Sequence, residues 1–276
     1  MASIVAVVKG ERGLEPVYRA LDLIPYREAL KGWDTVLVKV NLITSHTYET
    51  GITTDPIVVE AILNRVMDLG KRAIVVETEG GITSPDKAVV ETGMMEVIDR
   101  LGAEYIHMGR LKEKVKLTVE KPRAMKSFKV AKIATESAII SAATMKTLHH
   151  TTITMGLKNM FGMLTTKHKF RFHAKGTNEV VHDVCSTLPP TLTVIDGFYG
   201  KEGKGPWKGN AVKMDAIIAS TDPVAADATG ARVIGIDPET IKHVMWLHEG
   251  GIGEVHDIEV VGDGIEAVHR VWDRGL

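Results

Sequence analysis

Apolar residues along this chain gather in short runs separated by longer amphipathic stretches. SIVAVV (3–8), TVLVKV (35–40), AIVVE (73–77), AEYIHM (103–108), SAIISAA (137–143), TLTVID (191–196) and MDAIIAS (214–220) each read as a strand. TDPIVVEAILNRVMDLG (54–70) opens with a Thr/Asp cap, carries Pro56 in its first turn and closes on Gly70, the pattern of a helix. TDPVAADATGARVIGIDP (221–238) opens the same way. Strands nearly saturated with Val, Ile and Ala are those buried on both faces. The alternation therefore predicts an α/β fold, a mainly parallel doubly wound sheet with helices on both faces. Residues 109–132 depart from this pattern: Lys alternates with apolar residues there, as in a small half-exposed antiparallel ribbon, either a solvated hairpin or an anion-binding face. No solenoid repeat or low-complexity linker interrupts the chain, which reads as one α/β domain over 1–276 or as two lobes split near 109–136.

In open α/β sheets, ligands bind beyond the carboxyl ends of the strands, where loops and helix N-termini converge. The strands here end in polar groups: Lys39 and Asn41, Glu77 and Glu79, Thr144 and Lys146, Asp196, and Ser220 with Asp222. Any one of these is ordinary turn or cap chemistry, but their coincidence predicts a site at one sheet edge. The loop GFYGKEGKGPWKG (197–209) sets Lys201, Lys204 and Lys208 among glycines, which suits either a ligand lid or a mobile surface loop.

Between Ser137 and Asn178 the sequence has no Asp or Glu, yet it carries Lys146, Lys158, Lys167, Lys169, Arg171 and Lys175 with His149, His150, His168 and His173. Such a segment either faces acids from elsewhere or surrounds a bound anion. A helix beginning near His150 would place His150, Thr154 and Lys158 on one face. Gly156 and Gly162 weaken that helix and point to close approach of a ligand or another backbone. The histidines are open to metal ligation, to plain core or surface roles, and to catalysis or anion binding.

Composition narrows the classes. A net charge of −1 supplies no global field toward nucleic acid or an anionic membrane, and aromatic residues make up only 5%. The 1 cysteine, Cys185, excludes an intrachain disulfide framework, a Cys-based zinc site and an iron–sulfur cluster from this chain alone. A reducing, cytoplasmic setting is expected, since the N-terminal apolar run is too short for a signal peptide and no run is long enough to span a membrane.

MKTLHHTTITMGLKNMFGML, KHKFRFH, VIDGFYGKEGKGPWKG and IIASTDPVAADATGARVIGI, with VKVNL and TDPIVVEAIL upstream, resemble the uncharacterised prokaryotic family called domain of unknown function three-six-two. The similarity covers about residues 35–255. Many members join a ferredoxin-type cysteine module to this domain, and those cysteines are missing here. The resemblance marks Lys39, Asn41, Lys146, His149, Lys158, Asn159, His173, Asp196, Asp222 and Asp227 as motif residues, but it brings no established reaction.

Together these readings predict a cytoplasmic enzyme that binds an anionic small-molecule substrate or phosphorylated cofactor at the carboxyl edge of the sheet, with metal assistance as one route. The catalytic candidates are His149, His173 and Lys158, and the anion-binding candidates are Lys39, Asn41, Lys146, Asn159 and Lys204. His149, His173, Asp196 and Asp222 are the candidate ligands for a divalent metal. Lys158, flanked by Leu157, Met160 and Phe161, is expected to be buried against a carboxylate such as Asp196 or against a ligand. The alternative is a non-catalytic carrier or chaperone for a metal or cofactor. The expected partners are a small-molecule anion, a second copy of the chain or a redox protein, and neither nucleic acid nor membrane.

Overall fold

The computed structural model describes residues 2–80, 83–166, 169, 172, 174–205 and 208–274. Its strands are β1 (Ser3–Lys9), β2 (Thr35–Lys39), β3 (Arg72–Glu77), β4 (Glu104–His107), β5 (Lys114–Thr118), β6 (Ser127–Ala131), β7 (Ala138–Leu148), β8 (Thr152–Thr154), β9 (Leu192–Lys201), β10 (Ala211–Ser220) and β11 (Ile258–Gly262). The helices are α1 (Leu14–Asp22), α2 (Tyr26–Leu30), α3 (Pro56–Met67), α4 (Pro85–Glu91), α5 (Met94–Leu101), α6 (Gly156–Asn159), α7 (Thr177–Thr187), α8 (Pro223–Val233) and α9 (Lys242–Glu249).

Among the described residues the main sheet has nine strands, ordered β11-β1-β10-β9-β7-β2-β3-β4, with β8 paired to β7. The run β4-β3-β2-β7-β9 is parallel throughout. Alternate residues of each strand feed different cores, as the strand period of two requires. In β1, Val5 and Val7 join the core under α6, α7, α8 and α9, while Ala6 and Val8 join the one under α1, α3 and α5. The sheet is thus mostly parallel with helices on both faces, as the sequence predicts. The small ribbon also forms, β5 against β6 from Lys114↔Ala131 to Thr118↔Ser127. The two Thr-Asp-Pro helix starts behave as caps: Asp55 accepts from the Ile57 amide and Asp222 from those of Val224 and Ala225.

Three expectations are corrected. First, β10 runs antiparallel to both neighbours, with Ser220 opposite Thr193 at the start of β9. Asp222 therefore lies at the opposite edge from Asn41, Glu77, Lys146 and Asp196, which share the carboxyl edge of the parallel run. Apolar saturation says that a strand is buried, not which way it points. Second, the segment at His150 is a hairpin, β7 turning into β8, and helix starts only at Gly156. The β-branched run Thr151–Thr154 favours the strand over the helix. Third, where it is described, the glycine-bearing stretch from 197 is no free loop. Residues 197–201 complete β9, and Glu202 and Asn210 exchange backbone hydrogen bonds just before β10. At Gly209 φ is +127°, and a Cβ would meet the Glu202 carbonyl oxygen at 1.9 Å, so the turn requires glycine there.

Candidate functional site

The ends of β2, β3 and β7, the β7–β8 hairpin and α6 line a cavity of about 360 Å3 at the carboxyl edge of the parallel run. Among the described residues Lys39, Lys146, Lys158 and Lys169 line it together with a single carboxylate, that of Glu77.

Lys39 occupies a β2 position that would otherwise feed the apolar core, and it is 1% exposed. Its ammonium is fully engaged: it pairs with Glu77 at 2.8 Å, donates to Asn159 Oδ1 at 3.2 Å and also donates to the Val40 carbonyl. Asn159 closes the arrangement, its Nδ2 donating to the Lys39 carbonyl at 2.9 Å and to Ser141 Oγ at 3.1 Å. Glu77 in turn accepts from the Leu42 and Thr78 amides, so this buried ion pair has its remaining lone pairs satisfied.

Lys146 is held differently. Its Nζ donates to Asn41 Oδ1 and, at 2.8 Å, to the Ile52 carbonyl, both uncharged acceptors. Asn41 also accepts from Thr144 Oγ1 at 3.3 Å, and its backbone amide donates to Thr54 Oγ1 at 2.9 Å. Burial first, and then the charges of Lys158 and Lys39, push the Lys146 pKa down from 10.5 to about 7. Directly across the hairpin, Lys146 faces Thr154, a cavity-lining residue whose buried hydroxyl has no hydrogen-bond partner among the described residues.

Lys158 is half-buried, and its Nζ lies 4.4 Å from the centre of the Phe161 ring. Among the described residues it has no carboxylate partner, so of the two partners expected for it, an acid such as Asp196 or a ligand, the acid is not in contact. Burial and the charge of Lys39 lower its pKa to about 8. Lys169, also buried, donates to Thr78 Oγ1 and, at 3.3 Å, to the Gly162 carbonyl. Burial brings it to about 7, against the opposing pull of Glu77. The backbone that presents Lys158 and Asn159 is anchored from α8, where Asp227 accepts from the Gly156 and Leu157 amides at 2.8 and 3.1 Å. Asp227 is fully buried, and burial raises its pKa to about 7.

The sequence model of a family described as "Domain of unknown function (DUF362)" matches residues 36–232. The chain belongs to this family. A relative named "Thylakoid-associated protein sll1697", from Synechocystis sp., is 25% identical over 221 residues, 77% of this chain. The alignment spans 66% of that relative's length, a little under two thirds. The DUF362 match runs from β2 to α8 and so contains all four cavity lysines, Glu77, Asn159 and Asp227. β1, α9 and β11 fall outside it.

Of the residues singled out from sequence, Lys39, Asn41, Lys146, Lys158 and Asn159 meet at this cavity. His149, Lys204, Asp196 and Asp222 lie elsewhere. His149 is exposed on the hairpin turn, edge-on to His150 with ring centres 5.3 Å apart, and it is His150 that lines the cavity. Lys204 is exposed in the β9–β10 turn. Asp196 shares the carboxyl edge but turns to backbone, accepting from the Asp55 and Phe198 amides at 2.8 and 3.1 Å; burial, then the nearby Asp55 charge, raises its pKa to about 8. Asp222 caps α8 and binds Ser3 Oγ at 2.6 Å and the Glu254 amide at 2.8 Å, which leaves it no part in the cavity. His173 lies outside the described residues, as do Lys167, His168 and Arg171. Among the described residues no group of three or more His, Cys, Asp or Glu side chains is placed to hold a metal ion.

Sequence reasoning gave no role to Lys169, Thr78 or His243. His243, on α9, is fully buried; its Nδ1 donates to Asn178 Oδ1 at 2.7 Å, and burial together with the Lys158 charge depresses its pKa to about 3. Asn178 Nδ2 donates to the His150 carbonyl, which fixes that tautomer and ties α9 and α7 to the hairpin wall. Lys169 carried the one available signal, membership of the acid-free segment. Nothing local to the α9 sequence marks His243.

Proposed function

We propose that this protein is a cytoplasmic enzyme of small-molecule metabolism whose cavity binds a compact anion, a carboxylate- or phosphate-bearing substrate or cofactor. One observation carries the reading: among the described residues four lysines share a pocket with a single carboxylate, and that carboxylate is already committed to Lys39. Among the described residues, Lys146, Lys158 and Lys169 are left without a carboxylate in hydrogen-bond contact. Held as ammoniums they repel one another and have lost water, so each gives up its proton more readily than a free lysine. A bound anion reverses both penalties. Lys158 and Lys169 hold its charge, Asn41 and Thr154 offer hydrogen bonds, and Phe161 and Leu148 close an apolar wall that strengthens every interaction inside. Lysines near neutrality also suit proton transfer.

The cytoplasmic placement belongs to the proposal and rests on the single cysteine. No helix among the described residues is long and apolar enough to cross a membrane. The name of the Synechocystis relative describes that protein as thylakoid-associated; a cavity of this kind is compatible with a membrane-apposed protein as well as a free one.

The test is a thermal melt titrated with inorganic phosphate, with citrate and with chloride at matched ionic strength. The expected result is a saturable rise in Tm with phosphate or citrate beyond that with chloride, lost in Lys158→Met. Equal shifts for all three salts, unchanged in the variant, overturn the reading.

A further inference from the structure

The four cavity lysines are not equivalent, and the difference lies in what each nitrogen has left to offer. Lys39 donates to a carboxylate, an amide oxygen and a carbonyl, which uses all three hydrogens of an ammonium. Lys158 rests against the face of Phe161, a contact that rewards the cation. Lys146 has two acceptors, Asn41 Oδ1 and the Ile52 carbonyl, and neither carries charge. A neutral amine has two hydrogens and one lone pair. With both hydrogens engaged, one by the Asn41 side-chain oxygen and one by the Ile52 carbonyl, a neutral Nζ keeps its lone pair uncommitted, and Lys146 lines the cavity.

A second observation bears on the same spot. Lys146 and Thr154 are directly opposed in the β7–β8 pairing, so their side chains stand on the same face as immediate neighbours. Thr154 lines the cavity, and its Oγ1 is buried without a hydrogen-bond partner among the described residues. A buried hydroxyl without a partner is uncommon and calls for one. A nucleophilic nitrogen and an idle hydroxyl thus stand side by side, with cationic lysines around them.

Building on the anion-binding reading, we propose that Lys146 is an imine-forming residue and that the cavity takes a small anionic carbonyl compound, an aldehyde or ketone carrying a carboxylate or phosphate. The Nζ lone pair attacks the carbonyl carbon, and the carbonyl electron pair moves to oxygen, which takes a proton delivered through Thr154 Oγ1 from the Lys158 ammonium. In the resulting carbinolamine the hydroxyl leaves as water, taking one N–H proton with it. The net change is amine, carbonyl and the proton given by Lys158 going to protonated imine and water, with no oxidant or other co-reactant. One N–H remains on the protonated imine and stays on Asn41 or the Ile52 carbonyl. Lys169 holds the anionic end, Lys158 is left as a neutral amine until it regains a proton from water, and Lys39 with Glu77 keeps the floor rigid. The charged groups acting on Lys146 are Lys158 and Lys39, which favour the free amine, and Asp196 and Glu77, which oppose it. A buried lysine beside other cations is the environment in which amines become carbonyl nucleophiles near neutral pH.

Trapping decides the matter. The full chain is incubated with pyruvate or with dihydroxyacetone phosphate in the presence of cyanoborohydride, and the modified site is located by peptide mass spectrometry. The expected result is a single reduced adduct on Lys146 with one of the two probes, which also identifies whether carboxylate or phosphate is preferred. The adduct should be lost in Lys146→Arg, which keeps a cation but no nucleophile, and slowed at least about tenfold in Thr154→Val, with both variants melting like the parent. Adducts scattered over exposed lysines such as Lys121 and Lys204, or an unchanged yield in Lys146→Arg, overturn the proposal. Phosphate-induced stabilisation without any trapped adduct leaves anion binding standing and sinks the amine role alone; loss of both sinks both.

Discussion

Gly162 lies against the side chain of Lys39: a Cβ added at Gly162 would come within 2.3 Å of Lys39 Cε and 2.6 Å of its Nζ. The glycine is what lets a turn after α6 close over the buried Lys39–Glu77 pair. In Gly162→Ala either that turn or the ammonium must move, and overpacking of this kind costs about 1–3 kcal/mol. We expect a Tm lowered by several degrees and a weaker response to phosphate. An unchanged melt would show that the turn yields freely and that the close approach is incidental.

Lys158→Met separates a ligand-binding lysine from a structural one. If an internal acid paired with Lys158, removing the lysine would strand a buried charge at a cost of about 3–5 kcal/mol. No such acid touches it among the described residues, and its contact is the Phe161 ring. The variant should melt within about 2 °C of the parent or above it, while phosphate stabilisation disappears. Lys129→Met, on the exposed face of β6, should change neither property. A large drop in Tm for Lys158→Met would mean that its role is structural.

How far the sequence revealed this site follows from what one-dimensional patterns encode. Lys39 and Lys146 stood out because charge at the end of an apolar-saturated strand has few explanations. Asp222 looked equivalent and is not, because the direction of β10 leaves no trace in its composition. His150, Thr154 and Lys158 were grouped by a helical spacing that does not exist. They do line one cavity, because the hairpin sets Thr154 opposite Lys146 and the chain then turns into α6. Gly156 and Gly162 were read as points of close approach, and what approaches is side chain rather than ligand: Thr193 and Asp227 at one, Lys39 at the other. Glu77 was visible as a strand end, but its partner, thirty-eight positions away, was not.

Asp227 tests positioning without touching the cavity. Its two oxygens hold the amides that start α6. Asp227→Asn keeps the shape but turns an N–H donor toward one of those amides, which leaves a buried polar group unmatched at a cost of about 1–3 kcal/mol. Lys158 and Asn159 should then lose their fixed placement. The expected outcome is a lowered Tm together with a reduced phosphate affinity that Asp227→Glu restores only in part. Full affinity in Asp227→Asn would show that α6 is held by packing alone.

The pH dependence of stability carries the clearest electrostatic signature. Lys146, Lys158 and Lys169 titrate near 7, 8 and 7 in the folded state, against 10.5 when free. Between about pH 8 and 10 the unfolded chain therefore binds more protons than the folded one, and stability should rise with pH, by about 1.4 kcal/mol per unit for each lysine that stays neutral. Asp196 and Asp227 act in the other direction, since their raised values make the folded state hold extra protons, but only below their own pKa of about 8 and 7. Cys185, raised by burial, opposes the lysines above pH 9 with a single proton. Above pH 10 the half-buried Tyr105, also raised by burial, opposes them too. Three lysines outweigh one thiol, so urea midpoints of the ligand-free protein should climb from pH 8 to 10, and less steeply in Lys146→Met, where two lysines remain. Saturating phosphate holds the lysines protonated, returns their pKa values toward 10.5 and should remove most of the slope. A ligand-free midpoint that falls steadily over this interval would mean that the lysines remain charged in the folded protein, and the cavity chemistry built on a free amine would fall with it.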